Sequence, residues 1–217
     1  MNYYPVQYRQ PAGLRRIITV VGKGSVSASP DAARIQLGVV TEDELLAQAQ
    51  QENSSRMNQV IGTLRNQGVA AENIRTTAYR IEPRYDYVDG SQVFRGYEVY
   101  HEITVTVTDI GQAGALIDAA VQSGANRVVG IRLILRDQEA VYQQALQSAL
   151  SNAVSKAVAL AGTMQVSIDT TPINITEQSV QAVQPYAAFT LAEEAAVTPI
   201  EPGQLTITAE IEAEFAY

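Results

Sequence analysis

The segment Asp137–Gly162, DQEAVYQQALQSALSNAVSKAVALAG, constrains the fold more than any other stretch. Its apolar residues recur three and four positions apart, which is the period of a helix. Ala145, Ala149, Ala153, Ala157 and Ala161 form one row, and Tyr142, Leu146, Leu150, Val154 and Val158 form a larger-residue row beside it. Together they make one broad apolar face. Asp137 suits the N-cap, Glu139 adds negative charge at the positive end, and Gly162 is the expected stop. A helix over 138–161 would be about 36 Å long. It needs a surface to lie on, and the alanine row permits a close approach. That surface is either the chain's own sheet or a partner subunit, and the sequence leaves both open.

Composition narrows the rest. The chain has 217 residues, enough for one large domain or two small ones, and 46% of them are hydrophobic, enough for a core. No apolar run reaches the length of a membrane span. Cysteine is absent, which removes disulfides, thiolate metal sites and cysteine nucleophiles. The net charge is −8, without a basic tract, so nucleic acid is not an expected partner. The first residues, MNYYPVQYRQPAGLRR, lack the apolar core of a signal peptide and predict a cytoplasmic protein. A mature exported form carrying a new Met is the alternative.

Residues 1–16 read as a flexible arm. Ile17–Ser29 and Ala33–Thr41 read as strands on either side of the Pro30-Asp31 turn, and are expected to form a hairpin or a bent pair. Thr41-Glu-Asp-Glu44 has the spacing of a capping box, which predicts a helix from there to about Gln67. Met57, Val60, Ile61 and Leu64 mark its buried face, and Gly68 its end. A strand over Asn73–Pro83 follows. Tyr85–Gly90 is expected at a hairpin tip because it ends in Asp-Gly. Tyr97–Thr108 alternates strictly. Asp109 caps a second helix, whose face is Ala113, Leu116, Ile117 and Ala120 and whose stop is Gly124. Asn126–Arg136, Ile168–Val180 and Gly203–Phe215 read as strands. The connection 181–202 is long for a compact domain, yet its apolar residues suggest that it docks.

The fold class is therefore α+β in two layered units. From 32 to 136 the order is strand, helix, strand, strand, helix, strand, which is the split βαβ arrangement of ferredoxin-like domains. Residues 17–31 with 137–217 supply a second, discontinuous α+β unit built on the long helix.

A series of short stretches resembles the SIMPL-domain family. It comprises Ile17–Gly24 with Pro30-Asp31-Ala32, the Asn53–Leu64 helix segment, Ile81–Tyr87, Gly96–Val99, Gly124–Ile131, the Ala-rich helix around Lys156-Ala157, and Pro199–Gly203. The series runs from residue 17 to 217 in order. The resemblance implies a bacterial protein linked to stress tolerance, with no agreed chemistry and no catalytic residues to carry over. Many members of the family have a signal peptide, which is not seen in this sequence.

No motif supplies chemistry. Gly22-Lys-Gly-Ser lacks the third glycine of a dinucleotide fingerprint and the end of a P-loop, and it reads as a bulged strand. Glu42, Asp43 and Glu44 read as a helix start rather than a cation site. His101, the single histidine, is expected to face water or the second layer. No serine lies in Gly-x-Ser-x-Gly. Asn53-Ser-Ser and Asn174-Ile-Thr fit a glycosylation pattern that is frequent by chance. No catalytic residue, metal site or cofactor is expected. The candidate interface residues are Tyr85, Tyr87 and Tyr97 at the hairpin and Tyr186, Phe189 and Leu191 in the connection. The hairpin tyrosines fit an interface and ordinary strand positions equally well. Two functions follow. One is a non-enzymatic interaction protein that forms a homo-oligomer. The other is a small-ligand-binding or hydrolytic protein with a cleft between its two units.

Overall fold

The computed structural model describes residues 16–178, 184–186 (backbone alone) and 198–217. Residues 1–15 of the expected arm 1–16, and most of the connection 181–202, lie outside them. Among the described residues the chain is α+β, with two sheets, and divides into two compact units. One is built on residues 28–137. The other is built on residues 138–178 with the first and last strands.

In the first unit, β2 (Ala32–Asp43) leads into α1 (Leu46–Asn66), then β3 (Ile74–Val88), β4 (Ser91–Val107), α2 (Ala113–Gln122) and β5 (Arg127–Ile134). The sheet order is β3-β4-β2-β5 with antiparallel neighbours throughout. This is the split βαβ order that the element sequence predicts. The register sets Ile35 opposite Val105 and Leu37 opposite Ile103. Their face packs against Met57, Val60 and Leu64 of α1 and Leu116, Ile117 and Ala120 of α2 in one core.

The start of α1 differs from the capping-box expectation. β2 continues to Asp43, paired with β4 as far as Tyr97, so Thr41 is a ladder residue. Its buried hydroxyl donates to the Ala49 carbonyl at 2.8 Å. Asp43 Oδ1 instead accepts from the Leu45 amide at 2.8 Å, and the helix opens with no side-chain cap on Leu45. Strand pairing has claimed the residues that the local pattern assigned to the helix. At α2, by contrast, Asp109 accepts from the Gly111 amide, as an N-cap does, and a 3-10 turn leads into the helix.

In the second unit lie β1 (Ile17–Ala28), α3 (Gln138–Met164), β6 (Asn174–Gln178), β7 (Gln184–Tyr186) and β8 (Gln204–Ala216). The order is β1-β8-β6, and β7 also pairs with β8. β1 and β2 are thus in different sheets and form neither a hairpin nor a bent pair. Alternation shows which side chains of a strand are buried, but it does not choose the strand's neighbour.

The alanine row of α3 faces this unit's own strands. All five alanines are buried, whereas Val158 and Leu160 are exposed. Gly22 and Gly24 make this possible. A Cβ on Gly22 would stand 2.1 Å from the Ala149 carbonyl oxygen, and one on Gly24 2.1 Å from that of Ala145. The glycines of Gly22-Lys-Gly24 are therefore a landing strip for a helix backbone, with no phosphate role needed. Lys156 Nζ adds a 2.6 Å bond to the Val21 carbonyl.

Each helix ends in the same motif. After α1 and α2, Gly68 and Gly124 take positive φ, and the next residue's amide reaches back to Leu64 and Ala120. α3 ends two residues beyond the expected stop. Gln165 takes the left-handed conformation (φ 58°), and the Val166 amide donates to the Ala161 carbonyl. Gly162 is an ordinary helical residue, with nothing within 4 Å of an added Cβ. The sign of a substitution tests this. Gly162→Ala should stabilise by about 0.5–1 kcal/mol, because the helix interior disfavours glycine. A urea melt showing destabilisation would return Gly162 to the role of helix stop.

Candidate functional site

Among the described residues, the outer part of the β3–β4 hairpin carries several exposed large side chains. β2 pairs with β4 only as far as Tyr97, so residues 84–88 and 91–96 pair with each other alone. Asp89 and Gly90, both at positive φ (50° and 79°), make the turn. The tip is thus Asp89-Gly90, and Tyr85 and Tyr87 lie on the ribbon's arm rather than at its tip. A register shift between Arg84 and Tyr85, and Gly96 at φ 126°, mark where the ribbon leaves the sheet. A Cβ on Gly96 would stand 2.5 Å from the Asp43 carbonyl oxygen.

One face of the ribbon is aromatic. Tyr85 pairs with Phe94, with ring centroids 5.6 Å apart, and Phe94 meets Tyr97 at 5.3 Å, both edge to face. Tyr87, next along, is 76% exposed, and Tyr85 and Phe94 are nearly half exposed. The opposite face carries the Arg95–Asp86 ion pair at 2.7 Å. The structure brings Tyr85, Tyr87 and Tyr97 together and adds Phe94, which the sequence reading missed. A two-residue Asp-Gly loop sets Val88 opposite Ser91, and counting outward sets Tyr85 opposite Phe94. The signal was there. Tyr186 lies in β7, but its side chain is outside the described residues, as are Phe189 and Leu191 entirely. The connection does reach the first unit at Thr198, which bonds both oxygens of Asp118 on α2, and at Ile200, which packs on the core.

The sheet face turned away from α1 and α2 carries a charged lattice around Tyr100. Its hydroxyl donates to Glu98 Oε2 at 2.5 Å, and the Arg80 and Arg127 guanidiniums lie 5.3 and 5.8 Å from its ring centre. The bond to Glu98, then burial, then that carboxylate's charge raise the phenol's pKa, so Tyr100 is a poorer acid than usual. Arg127 pairs with Glu102, and Glu42 pairs with Arg84. Glu42 is therefore a strand residue, and the first turn of α1 has no acid at all.

His101 lies on the helix-covered side, opposite Val39 in the register. It meets the Tyr79 ring edge-on at 5.3 Å, and burial lowers its pKa, so it is neutral at pH 7. Asn53 of α1 is fully buried and donates to the Val39 and Val99 carbonyls, both at 3.0 Å. It ties the helix to two strands and cannot carry a glycan. Among the described residues no group of three or more His, Asp or Glu side chains is placed to hold a metal ion. A shallow depression of about 370 Å³, lined by Lys23, Ser25, Thr208 and Glu210 among others, is crossed by the Lys23–Glu210 ion pair at 2.9 Å. None of these arrangements sets a nucleophile beside a base.

The sequence matches the family described as "SIMPL: Protein of unknown function (DUF541)" over residues 18–215. The chain belongs to the SIMPL family. Among its relatives, the uncharacterised protein YggE of Escherichia coli K12 is 29% identical over 128 residues, 59% of this chain and 52% of the relative. The 26 kDa periplasmic immunogenic protein of Brucella melitensis is 29% identical over 133 residues, 59% of this chain and 53% of the relative. The human interleukin-1 receptor-associated kinase 1-binding protein 1 is 28% identical over 126 residues, 58% of this chain and 45% of the relative. The chain thus spans about half the length of the curated relatives it matches. No helix among the described residues of this SIMPL protein is long and apolar enough to cross a membrane.

Proposed function

We propose that this chain is a non-enzymatic SIMPL-domain protein that works through interaction surfaces and assembles with copies of itself. The observation that carries the reading is the two-stranded ribbon with Tyr85, Tyr87, Phe94 and Tyr97 on one face. An isolated two-stranded ribbon is marginal in water. Large aromatics aimed at solvent on such a ribbon are costly unless a partner covers them. The Asp86–Arg95 pair braces the other face, which keeps the aromatic side presented. A second copy supplies a matching aromatic face, and offset and edge-to-face ring pairs suit such a contact. The human relative is named as a binding protein, which agrees with a role through surfaces. The Brucella relative is named as periplasmic, which favours the exported alternative over a cytoplasmic location. Stress tolerance is the setting that the family resemblance implies.

The test is solution mass by light scattering over a dilution series. The wild-type chain is expected above the 23.5 kDa of one copy. Replacing Tyr85 and Phe94 by Ser should weaken association about thirtyfold or more per aromatic lost, if they act as interface anchors. The melting temperature should change little, because the ribbon lies outside the core. A wild-type mass of one copy, unchanged by dilution at micromolar concentration, overturns the reading.

A further inference from the structure

The charged face of the first unit's sheet is uneven. At one end Arg80, Arg84 and Arg127 are in ion pairs with Glu82, Glu42 and Glu102. At the other end the register sets Arg34 directly opposite Arg132 on β5 and Thr106 on β4. One row on, Gln36 lies between Gly130 and Thr104, and Arg75 of β3 lies opposite Thr104. All three arginines are exposed. Among the described residues none of the three is in an ion pair, and only threonine, glutamine and glycine lie between them.

Like charges directly opposite one another on a sheet destabilise it. This chain has 23 acidic residues against 15 basic ones, and on the same face it sets glutamates beside the other arginines. Asp31, the acid at this end, is taken by Arg136, so the three arginines pair with no acid among the described residues and are suited to an anion brought from outside. Guanidinium groups match carboxylates in a planar, two-bond geometry.

The second unit carries the complement. On β8 the odd-numbered side chains are buried, so Glu210, Glu212 and Glu214 share the face turned away from α3. Glu210 takes Lys23. Glu212 and Glu214 lie opposite Thr176 and Asn174, and among the described residues neither is in an ion pair. Two residues apart on a strand, their carboxylates are about 7 Å from one another.

We infer that the corner formed by Arg34, Arg75 and Arg132 docks the Glu212–Glu214 strip of a second copy. The inference rests on the self-assembly proposed above and names a contact for it. The two surfaces differ, so the contact is head to tail and adds copies in a ring or a filament. It is electrostatic, so it weakens as salt shortens the screening length from about 10 Å at 0.1 M to about 3 Å at 1 M.

Charge exchange tests it. Arg34→Glu with Arg132→Glu, and separately Glu212→Arg with Glu214→Arg, should each lower the mass seen by light scattering at low salt. Mixing the two variants should restore association, because the unchanged strip of the first meets the unchanged corner of the second and the two reversed surfaces are complementary as well. Arg34→Gln with Arg132→Gln and Glu212→Gln with Glu214→Gln are the milder pairs, used if a reversal lowers the melting temperature. They should weaken association at least about tenfold and flatten its salt dependence. If wild type is a single copy at every salt concentration, self-assembly itself fails. If wild type assembles and the charge variants assemble equally well, assembly stands and this contact is wrong; the corner then serves a free anion or another protein. Variants that stay folded and apart, and do not associate when mixed, also overturn the pairing.

Discussion

A chain that ends at residue 202 is expected to lose the second unit while keeping the first. The deleted stretch contains β8, which pairs with both β1 and β6 and with β7. Without it those strands have no common neighbour. Leu205, Ile207, Ile211 and Phe215 are all buried, with Ala209 and Ala213 between them. Burying a large apolar side chain is worth roughly 1.5–3 kcal/mol, so the four together supply about 6–12 kcal/mol. A whole domain is stable by only about 5–15 kcal/mol. The alanine row of α3 would also lose most of its cover, and a helix needs such cover to persist in water. Amide hydrogen exchange reads the outcome. In the truncated chain α3 amides should exchange freely, while those of β2 and β4 stay protected. Protected α3 amides would show β8 to be peripheral.

β8 is also where the sequence was most legible. Its alternation from Leu205 to Phe215 has period two, and every odd position is buried. The same clarity held for β4 at Ile103, Val105 and Val107, and for the α2 face. These are cases in which one face is buried and the other is not, so hydropathy and geometry coincide. The failures have another cause. Thr41–Glu44 has two competent uses, a helix cap and a strand end, and the choice depends on β4 lying alongside. β1 could not be matched to its neighbour, because that neighbour lies at the far end of the chain. Gly162 signalled a stop that Gln165 supplies, since the ending motif tolerates a residue other than glycine at a cost.

The candidate site divides in the same way. Tyr85, Tyr87 and Tyr97 stood out by residue type, but their joint face with Phe94 appears only when the Asp89-Gly90 turn fixes the register. The arginine corner was not legible. Arg34, Arg75 and Arg132 are far apart in sequence, each within an otherwise ordinary strand. Only the strand order β3-β4-β2-β5 brings them to one end of one face.

Ala153→Leu should destabilise the second unit and leave the first intact. Ala153 is fully buried, and its Cβ lies 2.8 Å from where a Cβ on Gly22 would stand. Helix and strand meet here through residues with almost no side chain, so a leucine has no volume to enter. The contact is backbone against backbone, and the neighbouring alanines and Gly24 hold it at that distance. A rotamer change cannot relieve the clash; α3 has to lift off β1. Overpacking a tight contact costs about 1–3 kcal/mol, and this site belongs at the upper end. For a unit of 86 residues that is a fall in melting temperature of roughly 5–15 °C. Helix propensity does not offset it, since leucine and alanine differ little. Gly22→Ala attacks the same contact from the strand and should act in the same direction. Ala153→Leu combined with it should cost less than the two losses added, because each relieves part of the packing the other disturbs. Val158→Leu, on the exposed side of α3, is the control and should change stability by less than about 0.5 kcal/mol. If Ala153→Leu melts like wild type while the assembled mass falls, the alanine row meets another copy, and the short approach at Gly22 and Gly24 is not what holds α3 in place.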